Sequence, residues 1–333
     1  MRPDVAGMIS SQGIIAPNAQ DVIIRIGTPD ANGLLGVNKN LGWIAVTDQR
    51  LAGKAMGVVL SRGDKAAVTT LIDSIEWTFS QMKPDGSFVY INTSTMLEST
   101  NPLALAGANA AFLADVVPAL MEMDATSSTY RKLVDPVRAQ VALAVKYTYD
   151  NRAVVVRDAA LYTNRQIRLA EALIASGLFL KNTTYLNEGR KILRDALALQ
   201  TPEGVFPEGG GYDTSYQIVS LNYLAMSAFL DPDPAFIAAL RKGVDWELTR
   251  FLSDGRIDAT GNTRTAVGEV DPRLNTVKNG HNPPIVCISL AHAAGMLKSD
   301  PLQEALQAFT LIAFDGTLLA PPSDYIYVAP PAE

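Results

Sequence analysis

A glycine-rich segment with two tyrosines, an Asn-Arg step, one loop histidine and a few arginines are the residues of this chain whose types and spacing suit chemistry. Residues 203–217 read EGVFPEGGGYDTSYQ. Three consecutive glycines, Gly209 to Gly211, let a backbone turn sharply or come close to a ligand. Tyr212 and Tyr216 are four residues apart, so on a starting helix they share one face, with Asp213 or Thr214 as the cap. A phenol at a helix N-terminus sits in a positive field, which suits a tyrosine that transfers a proton. Glu208 and Asp213 in the same segment are the carboxylates that hydrolysis of a glycosidic bond would call on, with Asp85 or Asp254 as further partners.

Upstream, Thr163 or Asn164 reads as a helix cap, and Asn164 with Arg165 suits a carboxylate or a sugar hydroxyl. Downstream, residues 254–284 hold Arg256, Arg264, Arg273 and Lys278, then Asn279, Gly280, His281 and Asn282. His281 lies in a polar loop, where an imidazole near neutral pKa can act as acid or base. His292 and Cys287 fall in apolar helical runs and read as core. Tyr90, in an earlier loop, is a further lining residue. Metal-binding spacings (HExxH, CxxC, paired histidines) are absent from the sequence, as are a GxGxxG after a strand, a P-loop and a GxSxG elbow. No cofactor is expected.

These residues need elements to hold them. From Lys65 onward, apolar residues recur at helical spacing, first at Val68, Leu71, Ile72, Ile75 and Phe79. Further helices are expected at 103–123, 129–149, 163–180, 183–199, 214–230, 234–252, 284–297 and 301–314. Four close on an acidic-Gly step: Asp85-Gly86, Glu203-Gly204, Asp254-Gly255 and Asp315-Gly316, with Asp150-Asn151 as a degenerate copy. Loops entering the capped helices are short and loops leaving them are long, so an up-down array gathers the long loops on one end. The expected fold is mainly α: an incomplete (α/α) toroid of about five helical hairpins over 63–320. A β-rich segment precedes it (1–62, with strands at 21–27 and 42–47), and a Pro-rich tail follows (321–333). About nine helices make four and a half hairpins, so the N-terminal segment or a further helix must complete the last one.

The bulk numbers narrow the partners. A formal charge of −6 argues against a general nucleic-acid surface. No apolar stretch of membrane-spanning length is read in the sequence, the N-terminus lacks a signal-peptide pattern, and a single cysteine allows no internal disulfide.

The order of motifs resembles the toroid polysaccharide lyases that act on hyaluronate, chondroitin and xanthan, and more distantly the alginate lyases. Asn164 is similar to that family's helix-start Asn, the 203–206 turn to its DGSF-type turn, Tyr212 and Tyr216 to its tyrosine pair, and Gly255-Arg256 with Arg264 to its arginine segment. The family has a histidine shortly after the turn, where this chain has Pro207-Glu208-Gly209, and a β-sandwich after the toroid. The resemblance implies β-elimination at a uronic acid of an acidic polysaccharide, without a metal, in an extracellular or periplasmic setting. Asn164 with Arg165 or Arg256 would neutralise the carboxylate, and Tyr216, Tyr212 or His281 would move the proton. Glu208, Asp213, Arg264, Asn282 and Tyr90 would line the substrate. A glycoside hydrolase and a non-catalytic sugar-binding or structural domain are the alternative readings.

Overall fold

The computed structural model describes residues 34–35, 46–63, 65–92, 97–264, 270–271, 276–277 and 283–314, and these fold as a mainly helical protein. The helices are α1 (Val46–Gln49), α2 (Leu51–Arg62), α3 (Lys65–Ser80), α4 (Pro102–Thr126), α5 (Ser128–Val134), α6 (Arg138–Asp150), α7 (Arg152–Asp158), α8 (Thr163–Leu180), α9 (Thr183–Leu197), α10 (Thr214–Leu230), α11 (Pro234–Leu248), α12 (Pro283–Leu297) and α13 (Asp300–Phe314). Two-residue strands form small antiparallel ribbons in the loops, Ile91–Asn92 with Leu97–Glu98 and Val270–Asp271 with Thr276–Val277.

The helices sort into two rows by their packing. In the inner row α2, α4, α8, α10 and α12 pack each on the next. The interiors of α4, α10 and α12 are apolar nearly all round, and α8 is buried on most of its surface although it carries Arg165, Arg168 and Glu171. The outer helices α3, α6, α9, α11 and α13 bury one stripe each and pack on their hairpin partners. Short links at 181–182 and 231–233 join inner to outer helices, and the long segments 81–101, 198–213 and 249–282 return to the next inner helix. The long segments therefore share the end where the inner helices begin.

Several expectations need correction. Val46 and Thr47, expected in a strand, are helical, and so is 51–62, which packs on α4 and supplies a helix absent from the sequence reading. The remainder of the expected strands, the tail from 321 and Asp315-Gly316 lie outside the described residues. The expected helix at 129–149 is broken by a 3-10 turn at Asp135–Val137, because Pro136 has no amide hydrogen to continue the ladder. The 150–162 loop contains α7, and Asn151 has φ −101°, not a left-handed cap. The 25-residue α4 is long and apolar enough to cross a membrane by length and composition, contrary to the sequence reading; 83% of its apolar window is buried against neighbouring helices.

The acidic-Gly steps have a shared physical basis. Gly86 and Gly204 have φ of 90° and 109°, in the region that favours glycine. A methyl group on Gly86 would sit 2.2 Å from the carbonyl oxygen of Leu143 in α6, and one on Gly204 2.2 Å from that of Lys242 in α11. Each turn thus lies directly on the outer helix of the following hairpin. An inner-helix amide fastens it: Asn109 Nδ2 donates to Gly86 O (2.8 Å) and Ala144 O (3.4 Å). Gln217 Nε2 likewise donates to Gly204 O (3.0 Å) and Gly243 O (3.2 Å). Replacing Gly204 by Ala is expected to cost roughly 3 kcal/mol through backbone strain and overpacking. A shift in the urea midpoint with an unchanged slope would measure it, and an unshifted midpoint would refute the close approach.

Halfway down the inner row lies a buried polar layer. Asp115 of α4 pairs with Lys54 of α2 at 3.0 Å and Arg50 at 3.6 Å, and accepts from the Tyr223 hydroxyl of α10 at 3.3 Å. His292 Nδ1 meets Asn222 Oδ1 at 2.8 Å, so Nδ1 carries the hydrogen. Burial pulls the His292 pKa down to about 3 and pushes the Cys287 thiol up to about 12, in keeping with their reading as core residues.

Candidate functional site

The site is assembled where α8 and α10 begin. Past Gly204 the chain crosses the start of α8, where Pro207 O accepts from Thr163 N (3.2 Å) and from Thr163 Oγ1 (2.9 Å). Glu208 then bridges both Tyr162 and Gly211, and Gly209 N donates to Leu161 O at 2.7 Å. Gly209 and Gly210 have φ of 61° and 87°, which closes this turn within two residues. A second strand of chain comes in from beyond α11. Thr263 N donates to Tyr212 O (3.0 Å), Thr263 Oγ1 to Glu208 O (2.6 Å), and Arg264 N to Asp213 Oδ2 (2.9 Å). Three segments remote in sequence are thereby pinned to one another by backbone groups and short polar side chains.

Glu208 lies at the centre and is buried. One carboxylate oxygen accepts from Asn164 Nδ2 and the other pairs with the Arg264 guanidinium. The Arg264 guanidinium also stacks over the Tyr216 ring, 4.1 Å from its centroid, and stands 5.0 Å from that of Tyr162. Arg165 covers Tyr162 at 4.5 Å. Burial raises the Glu208 pKa, with a smaller push from Asp213, against the opposing pull of Arg264 and Asn164. The Arg165 guanidinium is pulled down by burial and then by Arg264 and Arg168. Arg264 itself is held up by Tyr216 and Glu208 against its burial. The arrangement is a buried acid tied to a cation, the same cation lying on a half-buried phenol, and more guanidinium charge than carboxylate to meet it.

The structure brings Asn164, Arg165, Glu208, Asp213, Tyr216 and Arg264 together. Asn164 does not cap α8: the cap position is Tyr162, with no side-chain hydrogen bond, and the Asn164 amide reaches sideways to Glu208. The capping expectation at α10 holds for Asp213, whose Oδ1 accepts from Tyr216 N at 3.1 Å. Because α10 starts at Thr214, Tyr212 precedes the cap and does not share a helical face with Tyr216. Its hydroxyl donates to Thr260 O at 2.7 Å, and its ring packs edge-on to Trp246 and near the Arg250 guanidinium. Tyr212 therefore acts as a strut for the incoming loop.

Arg256 is exposed and pairs with Asp254 within its own turn, so it does not join Arg264. Tyr90 is half-buried against the core. His281 and Asn282 lie outside the described residues. Two participants escaped the sequence reading. Tyr162 supplies a ring for two arginines, and no periodicity singles it out. Arg168 lies one turn below Arg165 on α8, and that spacing is visible in the sequence. Among the described residues no group of three or more His, Cys, Asp or Glu side chains is placed to hold a metal ion.

No family model matches the chain, and no curated protein matches it.

Proposed function

We propose that the protein is a polysaccharide lyase that cleaves a uronic-acid-containing polysaccharide by β-elimination, with its two helical rows forming an (α/α) toroid. The observation that carries this reading is the stack of Arg264 on Tyr216, with Arg264 held by Glu208 and Glu208 by Asn164. A uronate loses its C5 proton readily only when its carboxylate is neutralised, and preorganised cations supply that without a metal. Arg165, unpaired among the described residues, takes this role with Arg264 beside it. Asn164, committed to Glu208, becomes a positioning residue.

Tyr216 is the acid and base. Its phenolate, stabilised by the guanidinium lying on its ring, takes the C5 proton. The electron pair forms the C4=C5 double bond, the C4–O bond breaks, and the phenol returns the proton to the leaving glycosidic oxygen. The hydrolase alternative needs a second carboxylate free to work across the bond. Asp213 is buried, and its two oxygens already accept the amides of Tyr216 and Arg264. That leaves Glu208 alone and favours elimination.

Incubation with a panel of uronate polymers separates the readings. A lyase generates ultraviolet absorbance from its conjugated product, a hydrolase generates reducing ends without it, and a binder generates neither. Tyr216→Phe is expected to abolish the absorbance. Tyr212→Phe is expected to keep the activity while losing about 1 kcal/mol of stability with its hydrogen bond to Thr260. Full activity in Tyr216→Phe would overturn the assignment.

A further inference from the structure

Arg165 and Arg168 stand three residues apart on the first turns of α8, so they face the same way. Both are half-buried. Arg165 has the Tyr162 ring as its stacking partner, and Arg168 has a buried Nε with no hydrogen-bond partner. Neither makes an ion pair among the described residues, whereas Arg264 beside them is paired with Glu208. Three guanidinium groups thus stand near two carboxylates, Glu208 and Asp213, and neither Arg165 nor Arg168 is paired with either. Holding partly buried like charges together costs free energy that only an anion recovers. The helix N-terminus adds its own positive field to the same spot. A single uronate carboxylate would leave one of the two guanidinium groups unpaired.

We propose that Arg165 and Arg168 form a pair of anion subsites that hold two carboxylates at once, so that the substrate is a run of contiguous uronic acids and not a polymer in which uronic acid alternates with a neutral sugar. This rests on the reading of the protein as one that acts on an acidic polysaccharide. Arg165, beside Arg264 and Tyr216, holds the carboxylate of the reacting sugar. Arg168, one turn deeper, holds that of its neighbour and sets specificity.

The test uses the full chain and two hexasaccharides, one made only of uronic acid and one alternating uronic acid with N-acetylhexosamine. Affinity is read by calorimetry on Tyr216→Phe protein, which prevents turnover. The contiguous hexamer is expected to bind at least tenfold more tightly. Arg168→Gln is expected to weaken the contiguous hexamer about tenfold, leave the alternating one unchanged and so erase the preference. Arg168→Lys, which keeps the charge, is expected to restore part of it and guards against a folding defect in the Gln variant. Equal loss for both hexamers, no loss for either, or no binding of either by the parent protein would overturn the proposal. Failure of the lyase reading looks different: the contiguous hexamer binds with the predicted preference, yet wild-type protein releases no unsaturated product from it.

Discussion

Arg264→Met is expected to lower stability by about 3–5 kcal/mol at neutral pH and to abolish the proposed activity on uronate polymers. The stability loss comes from what remains behind. Glu208 is 1% exposed, and its ordinary partners are the Arg264 guanidinium and the Asn164 amide. Without the cation, an ionised carboxylate stays in a site that already raises its pKa by burial. A carboxyl whose folded pKa lies above its unfolded value contributes stability that is fully present below the unfolded pKa and lost as pH rises through the folded one. Removal of Arg264 raises the folded pKa of Glu208 further. The deficit of the variant should therefore be small near pH 4, grow as pH rises, and level off once Glu208 is ionised. A second variant isolates the cause. Glu208→Gln combined with Arg264→Met removes the stranded charge and should recover most of the stability while activity stays lost. Chemical denaturation of the three proteins across pH checks this, and a deficit independent of pH would show that Arg264 acts through packing alone.

The same residues mark what a single sequence discloses and what it hides. The hairpins are legible because inner helices are apolar and punctuated: α8 and α10 run from Thr163 to Leu180 and from Thr214 to Leu230, as the spacing predicts. The Asp213 cap is legible because a short acidic side chain before an apolar run has few other uses. The pairing of Asn164 with Glu208 is not legible, since it depends on the turn at Gly209 and Gly210 folding back across α8, 44 residues away in sequence. Tyr212 shows the converse: a spacing of four suggests a shared helical face, but the helix begins after it. The helix at 51–62 is not legible because a strand-like run precedes it and its helical pattern is short. Arg168 and Glu171 had a visible signal: each interrupts the apolar periodicity of α8 near Ile167, Ala170 and Ile174. A charge on the inner face of an inner helix is costly enough that its position alone points to the molecule's interior.

Glu171 carries the second large effect. It is fully buried on α8, and both carboxylate oxygens lack a hydrogen-bond partner. Burial raises its pKa well above the ordinary carboxylate value, and Asp115 pushes the same way against Lys54. The groups of the layer come from each neighbouring element: Arg50 and Lys54 before and within α2, Asp115 on α4, Asn222 and Tyr223 on α10, His292 on α12. For Glu171 the sign is again that of a raised carboxyl, so its contribution is present below the unfolded pKa near 4.5 and declines as pH rises. His292 slopes the other way. Its folded pKa of about 3 lies below the ordinary 6.5, so stability is lost as pH falls through that window. Glu171→Gln keeps the shape and removes the titration. It should match the parent protein at pH 4 and exceed it by about 2 kcal/mol at pH 8, where the parent must either hold a proton or bury a charge. His292→Gln should instead flatten the acid side of the profile. Thermal melts of both variants from pH 4 to 8 distinguish the contributions. If Glu171→Gln runs parallel to the parent over the whole range, a water or a neighbouring donor satisfies the carboxylate, and the polar layer is a settled ion-pair network with no proton stored in it.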